Sequence, residues 1–297
     1  MGTLDTGTPP ATTGAAVATG REAGTGSLTP TVSVVVPTLN EERNIAYVLD
    51  RLPDMVSQVV LVDGGSKDAT IANAVAARPD IEVVQQTRKG KGNALACGFA
   101  RTTGDIVVMI DADGSTDPGE IPSFVDALCR GADFAKGSRF RRGGGSTDIT
   151  PLRRLGNEGL NAMVNVLFGT RYTDLCYGYN AFWRSVIPAM ALPAVGTPGG
   201  APQWGDGFEV ETLMNIRVSI NGLVIEEVAS HEAERRYGES NLRTFRDGRR
   251  VLRTVIREYV DRPRPVRPTV RQRLSASAGG ARAAGRAVAG LLMRSGA

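Results

Sequence analysis

The chain has 297 residues, 41% of them hydrophobic and 22% charged, the balance of a globular protein with a real core and not of a fibrous or wholly disordered chain. Its net charge of +4 is unevenly placed: eight arginines and no acid occur from Arg262 to the end, so the remainder is close to neutral and no nucleic-acid partner is expected. The three cysteines, Cys97, Cys129 and Cys176, lie far apart without a C-x-x-C pair, which excludes a disulfide framework or structural zinc site and suits a reducing cytoplasm.

Residues 1–29 are mostly Gly, Thr, Ala and Pro, too poor in apolar side chains to offset the entropy of ordering and without the basic start and apolar centre of a secretory signal; a disordered tail is expected. "TVSVVVPTLN" (31–40) reads as a buried strand stopped by proline, and "EERNIAYVLDRLP" as a helix with Ile45, Val48, Leu49 and Leu52 at helical spacing. "SQVVLVDGG" is a strand, "SKDATIANAVAARP" a helix opened by Ser66, "IEVVQQ" a strand, "GKGNALACGFARTTG" a helix and "DIVVMIDAD" a fourth strand. This alternation predicts an α/β fold, a Rossmann-like mostly parallel sheet with helices on both faces.

Beyond Pro118 the alternation loosens. "EIPSFVDALCRG" reads as a helix, "ADFAKGSR" as a strand, and "FRRGGGSTDITP" as a glycine-rich loop of the kind that a ligand orders. "LRRLGNEGLNAMVNVLFG" is a helix whose two leading arginines oppose its dipole unless an anion sits there. "DGFEVETLMNIRVSI" is a helix, "GLVIEEVAS" a last strand and "FRDGRRVLRTVIREYV" a basic amphipathic helix, so the folded domain is expected over 30–261. Residues 262–297 form a basic tail broken by prolines, either disordered or drawn to anionic lipid. No apolar run reaches the roughly 18 to 20 residues that span a bilayer. The protein is therefore expected in the cytoplasm, with any membrane contact peripheral and at the inner face.

In parallel α/β sheets, ligands bind in the crevice beyond the carboxyl ends of the strands. Three strands end there in polar groups: Asn40 with Glu41, Asp63, and Asp111 with Asp113. Gathered carboxylates repel unless a cation or hydrogen-bond donors compensate, and Asp-x-Asp in extended backbone points both side chains along one face. Two carboxylates completed by substrate phosphates are ordinary coordination for Mg2+ or Mn2+. In "RKGKGNAL" (88–95), Lys91 and two glycines stand at the start of a helix whose free N–H groups would attract phosphate, while the Walker and dinucleotide-binding glycine patterns are absent. "GDGFEVE" offers Asp206 and Glu209 either as general bases or as the acids that helix starts favour.

The stretches "VVVPTLNEERNI", "VVLVDGGSKDAT", "GKGNAL" and "IDADGSTDP", in that order, resemble the nucleotide-sugar half of family 2 glycosyltransferases with the GT-A fold. "GSRF", "RRLGNEGLN", "DLCYGYNAF" and "RRYGESNL" resemble the dolichyl-phosphate mannose synthase and polyprenyl-phosphate glycosyltransferase branch. The resemblance runs from about residue 31 to 260 and implies a GT-A sheet with an acceptor-side extension. It implies that Pro37, Thr38, Asn40 and Glu41 line the nucleoside pocket, with Glu41 on the ribose and Asp63 on the base. Lys91, Asp111, Ala112 and Asp113 would meet the diphosphate, and the two aspartates would hold the metal. Ser115 stands where the family often has a glutamine ligand, which leaves the third protein ligand open. Arg139 and Arg235 would touch phosphates, and Arg153 or Arg154 would receive an acceptor phosphate.

The activity so implied is metal-dependent transfer of a hexose from GDP-mannose or UDP-glucose to a polyprenyl phosphate, by displacement with inversion. A phosphate monoester with a second pKa of about 6 is already an anion at neutral pH, so this acceptor needs positioning more than deprotonation. A soluble hydroxyl acceptor, a secondary metabolite or a glycan, would need a carboxylate base. Two other readings stay open: a sugar nucleotidyltransferase, although "PTLNEE" stands where its G-x-G-T-R turn belongs, and a non-catalytic nucleotide-sugar-binding module.

Overall fold

The computed structural model describes residues 29–238 and 244–261. Apart from Thr29, the two expected tails lie outside the described residues, as does "ESNLR" (239–243). The compact unit that carries the fold begins at Thr31.

The expected alternation is present as β1 (Val32–Thr38), α1 (Ile45–Asp50), β2 (Val56–Asp63), α2 (Thr70–Ala77), β3 (Glu82–Gln85), α3 (Lys91–Phe99) and β4 (Ile106–Met109). After it come α4 (Ile121–Cys129), β5 (Phe134–Ser138), β6 (Gly145–Ser146), α5 (Pro151–Phe168), β7 (Asn180–Trp183) and α6 (Ile187–Met190). The described part ends with α7 (Val210–Ile220), β8 (Ile225–Ala229), β9 (His231–Glu232) and α8 (Thr244–Asp261). Among the described residues seven strands form one sheet in the order β3-β2-β1-β4-β7-β5-β8. Its pairs are parallel except that β7 runs antiparallel to both β4 and β5.

The continuous valine run of β1 is explained by burial on both faces. Val34 and Val36 pack with Ile45 and Val48 of α1 and Phe124 of α4, while Val35 on the opposite face packs with Leu95 of α3 and Met214 of α7. Helices thus cover both faces of the sheet. Ser66 does not open α2, which starts at Thr70; the Ser66 hydroxyl instead accepts from Asn40 N at 2.9 Å and ties two loops together. The glycine-rich stretch expected as a ligand-ordered loop is paired by the protein itself, since β6 lies parallel to β9. No helix among the described residues is long and apolar enough to cross a membrane.

Helix α5 is joined to the sheet through amides. Asn157, Asn161 and Asn165 recur every four residues on one face, and each side chain meets the segment 172–176. Asn161 Nδ2 donates to Thr173 O at 2.6 Å and its Oδ1 accepts from Leu175 N at 2.7 Å. Asn165 brackets Tyr172 in the same way at 2.8 Å on both sides, and Asn157 reaches Asp174 and Cys176 N. A segment without a strand partner thereby has its buried backbone groups satisfied. Asn161→Ala, which would leave Leu175 N and Thr173 O without these partners, is expected to lower stability by about 1–3 kcal/mol, measured by urea denaturation.

Candidate active site

A cleft of about 750 Å³ opens beyond the carboxyl ends of β1 and β4. Pro37, Thr38, Glu41, Lys91, Asp111, Ala112, Asp113 and Ser115 all border it, together with Arg139, Arg153 and Arg235. Asn40, Asp63 and Arg154 do not. Asn40 adopts a φ of 56° and its Oδ1 accepts from Lys67 N at 2.9 Å. Asp63 is buried, and its carboxylate accepts from Gly65 N and Ser66 N, so it shapes the turn behind Gly64, which does border the cleft. Arg154 is exposed and paired with Glu158 one turn along α5.

One end of the cleft is a chain of alternating charges. Lys91 Nζ lies 2.7 Å from Asp111 Oδ1 and 2.7 Å from Glu211 Oε1. Burial opposes its charge, but the two carboxylates overcome this and raise its pKa well above the ordinary lysine value, so it is a fixed cation. Arg235 Nη1 donates to both oxygens of Glu41, at 2.7 and 3.0 Å, and Nη2 lies 3.5 Å from Asp113 Oδ2. Desolvation raises the Glu41 pKa in spite of hydrogen bonds from Asn44 and Arg235. Arg235 Nε is buried with no hydrogen-bond partner among the described residues. Ser115 N and Oγ both donate to Asp113 Oδ1, at 3.0 and 2.7 Å, so this serine fixes a carboxylate where a third metal ligand was expected. A Cβ at Gly178 would come within 3.0 Å of Lys91 Nζ and 3.1 Å of Glu211 Oε1, which is why glycine stands there.

The other end is built on α5 and α8. Arg139 is held in a fork: Nε and Nη2 donate to Asp174 at 2.7 and 2.9 Å, and Nη1 to Glu232 at 2.9 Å. Burial works against its charge, yet Asp174 and Glu232 raise its pKa further above the normal arginine range. Asp174 is fully buried and also accepts from Asn157 Nδ2 at 3.0 Å, which ties Arg139 to α5. Arg153 pairs with Asp148 at 3.1 Å, so the leading arginines of α5 are offset by Asp148 and Glu158 and the helix N-terminus by its Thr150 cap. The lining from these parts of the chain includes the apolar Ile149, Leu152, Leu160, Phe208 and Val251 beside Asp148, Asn157 and Asp247. Gly156 and Gly248 also border the cleft, and a Cβ at either would meet nothing within 4 Å.

Two expectations drawn from the sequence do not hold. Asp206 is not poised as a base: it is 2% exposed, outside the cleft, and its Oδ2 and Oδ1 accept from Arg88 Nε and Nη2 at 2.8 and 2.9 Å. Glu209 also lies outside the cleft lining and turns back to accept from Gly205 N and Gly207 N. Nor is the N-terminus of α3 open to phosphate, because Gly92 N and Asn93 N donate to the Asp206 carbonyl at 2.8 and 3.4 Å. A Cβ at Gly92 would overlap the Gly205 carbonyl, so the glycines of "GKGN" serve this close packing, while Gly90, Lys91 and Ala94 border the cleft. Glu211, missed from the sequence, is the acid of this segment that borders the cleft. The run "GDGFEVE" contains it, but α7 starts at Val210, and that phase brings Glu211 toward Lys91.

No three His, Cys, Asp or Glu side chains cluster as a metal site among the described residues. Asp111 and Asp113 offer two hard oxygen donors at the cleft, with side chains 33% and 19% exposed. That set fits an ion of the Mg2+ or Mn2+ type, which takes its remaining ligands from a diphosphate and water.

A family model described as "Glycosyl transferase family 2" matches residues 33–189. Polyprenol monophosphomannose synthase of Mycolicibacterium smegmatis is 34% identical over 220 residues, which are 70% of this chain and 80% of the relative. Undecaprenyl-phosphate mannosyltransferase of Micrococcus luteus is 32% identical over 220 residues, 71% of this chain and 87% of the relative. Among solved structures, glucosyl-3-phosphoglycerate synthase from Mycobacterium tuberculosis, in complex with Mn2+, UDP-glucose and phosphoglyceric acid, is similar with a TM-score of 0.60 and 26% identity, over 79% of this chain and 82% of that one.

Asp206→Asn would leave Arg88 charged, buried and half paired, and breaking such a pair costs about 3–5 kcal/mol. The expected outcome is a lowered thermal midpoint, measured by calorimetry. A rate loss at unchanged stability would restore a direct catalytic role for this residue.

Proposed function

The chain belongs to glycosyl transferase family 2, and from that premise we propose that it moves a hexose from a nucleoside diphosphate sugar, GDP-mannose or UDP-glucose, to a polyprenyl phosphate, with inversion. The observation that carries this reading is the two-ended cleft: carboxylates, Lys91 and Arg235 at one end, and an apolar wall from α5 and α8 at the other, with Arg139 and Arg153 along the lining. A lipid phosphate has this polarity, with an anionic head and an apolar tail. The relatives named for polyprenol and undecaprenyl phosphate support the acceptor, and the neighbour solved with Mn2+ and UDP-glucose supports the donor and the metal.

The chemistry is carried by the residues in place. As the glycosyl bond to the diphosphate breaks, negative charge grows on the leaving oxygens, and Lys91 and Arg235 are pre-placed cations there. Held by Asp111 and Asp113, Mg2+ or Mn2+ would supply Lewis-acid stabilisation of the same charge. Glu41 is proposed to meet the ribose. Arg139 and Arg153 orient the acceptor phosphate, which is an anion and attacks without a base. This accords with Asp206 and Glu209 being bonded within the protein and outside the cleft lining.

A second reading, transfer to a small soluble phosphorylated acceptor, is favoured by the similarity to glucosyl-3-phosphoglycerate synthase. Incubation of the purified chain with labelled donors and with polyprenyl phosphate, phosphoglyceric acid or neither, in Mn2+ or EDTA, separates the two. Label extracted into organic solvent and lost with EDTA is expected; label confined to water-soluble glycoside would support the second reading, and free hexose alone would overturn both. In that assay Asp113→Ala is expected to lower transfer at least about a hundredfold, the scale of losing one transition-state charge stabiliser, with an unchanged circular-dichroism melting curve. Gly156→Leu is expected to raise KM for a long-chain prenyl phosphate more than for a short-chain one, because it narrows the apolar wall, and steady-state kinetics on both acceptors measures this.

A further inference from the structure

After β9 the chain runs over the turn that carries Asp113, and residues 233–238 form no helix or strand there. Ala233 N donates to Ser115 O at 2.8 Å, Arg236 N to Asp113 O at 3.3 Å, and Tyr237 O accepts from Asn44 Nδ2 at 3.0 Å. Two neighbouring arginines part here. Arg235 borders the cleft and meets Glu41 and Asp113, whereas Arg236, outside the lining, lays its guanidinium on the Tyr47 ring of α1, 3.8 Å from the centroid. On the way it crosses Gly114, whose φ is 76° and where a Cβ would come within 3.0 Å of Arg236 Cδ and 3.3 Å of Tyr47 Cδ1. Next along the chain, the Arg43 guanidinium lies over the Tyr237 ring at 4.0 Å.

A few hydrogen bonds do not fix a segment open to water, since each exchanges with solvent at little net gain. A guanidinium on an aromatic face adds an attraction that shifts an equilibrium severalfold even at an exposed site. The contact also settles which arginine serves the carboxylates. Arg236 is an exposed cation beside Arg235 in the chain, and it makes no ion pair among the described residues. Held on a neutral ring, it leaves Glu41 and Asp113 to Arg235. Tyr47 is half-buried, packs against the core around Val34 and Val36 and does not border the cleft, so it acts on a ligand only through the segment it holds.

We propose that Tyr47 is a positioning residue for the nucleoside diphosphate: its ring captures Arg236, and this clasp sets Arg235 between Glu41 and Asp113. The proposal rests on the donor reading given above. The test titrates the full chain with UDP and with GDP in Mn2+ by calorimetry, and follows hydrogen exchange in peptides covering 231–238. Tyr47→Leu is expected to raise Kd for the bound nucleotide about three- to tenfold, the scale of one cation–π contact, and to speed exchange in those peptides. Tyr47→Phe keeps the ring and is expected to restore both values. Arg236→Gln also raises Kd, but adding Tyr47→Leu to it is expected to change Kd less than about twofold, because the ring then has nothing to hold. Tyr47→Met, which fills the same space with an unbranched apolar chain, takes the place of Tyr47→Leu should the latter melt early.

Independent effects of the two substitutions, multiplying in the double variant, would overturn the proposal, since two residues that act through one contact cannot be lost twice. So would a Tyr47→Phe variant as weak as Tyr47→Leu, which would assign the effect to the hydroxyl. Parent-like nucleotide binding by Tyr47→Leu would sink the clasp and leave the donor reading standing. A parent chain that binds neither UDP nor GDP would sink the donor reading, and the positioning role with it.

Discussion

At the donor end of the cleft, Lys91 stands between Asp111 and Glu211, and Arg235 between Glu41 and Asp113. Carboxylates this close in a partly dry pocket repel, and the repulsion grows as the effective dielectric falls. Burial raises the Glu41 pKa even with Arg235 on it. The position of Lys91 in turn depends on the seating of α3, whose first amides are taken by the Asp206 carbonyl. The loop carrying Asp206 is fastened by the buried fork to Arg88, which also donates to Ala194 O and Val195 O. A structural ion pair outside the cleft thus sets the place of a lysine inside it.

The acceptor end obeys the same logic with different parts. Arg139 cannot swing freely, because Asp174 and Glu232 hold it from two sides, and Asp174 is itself held by Asn157. Glu232 belongs to β9, whose pairing with β6 closes what reads in sequence as a loose glycine loop. The asparagine ladder joins α5 to the sheet and leaves the opposite side of that helix free of internal duties. One helix therefore carries a polar face toward the protein, an edge that walls the cleft and an apolar outer stripe.

The sequence by itself determined the architecture and which carboxylates stand at the edge of the sheet. Unbroken β-branched runs alternating with helices on a short period leave few folds open, and Asp111 with Asp113 at the end of such a run are bound to reach the carboxyl edge of the sheet, because strand geometry is local. It did not determine which of the acids in "GDGFEVE" faces the cleft, since that depends on where α7 begins, and four residues of slip exchange Asp206 for Val210 at the helix start. Nor could it show that the N-terminus of α3 is filled by a carbonyl over a hundred positions away, or that Ser115 turns toward its neighbour, or that Asp63 braces a turn. Those outcomes were decided only by the tertiary structure. A hydrogen-bond donor takes whichever acceptor the packed chain brings to it, and that partner is nonlocal even where the propensity that built the element is not.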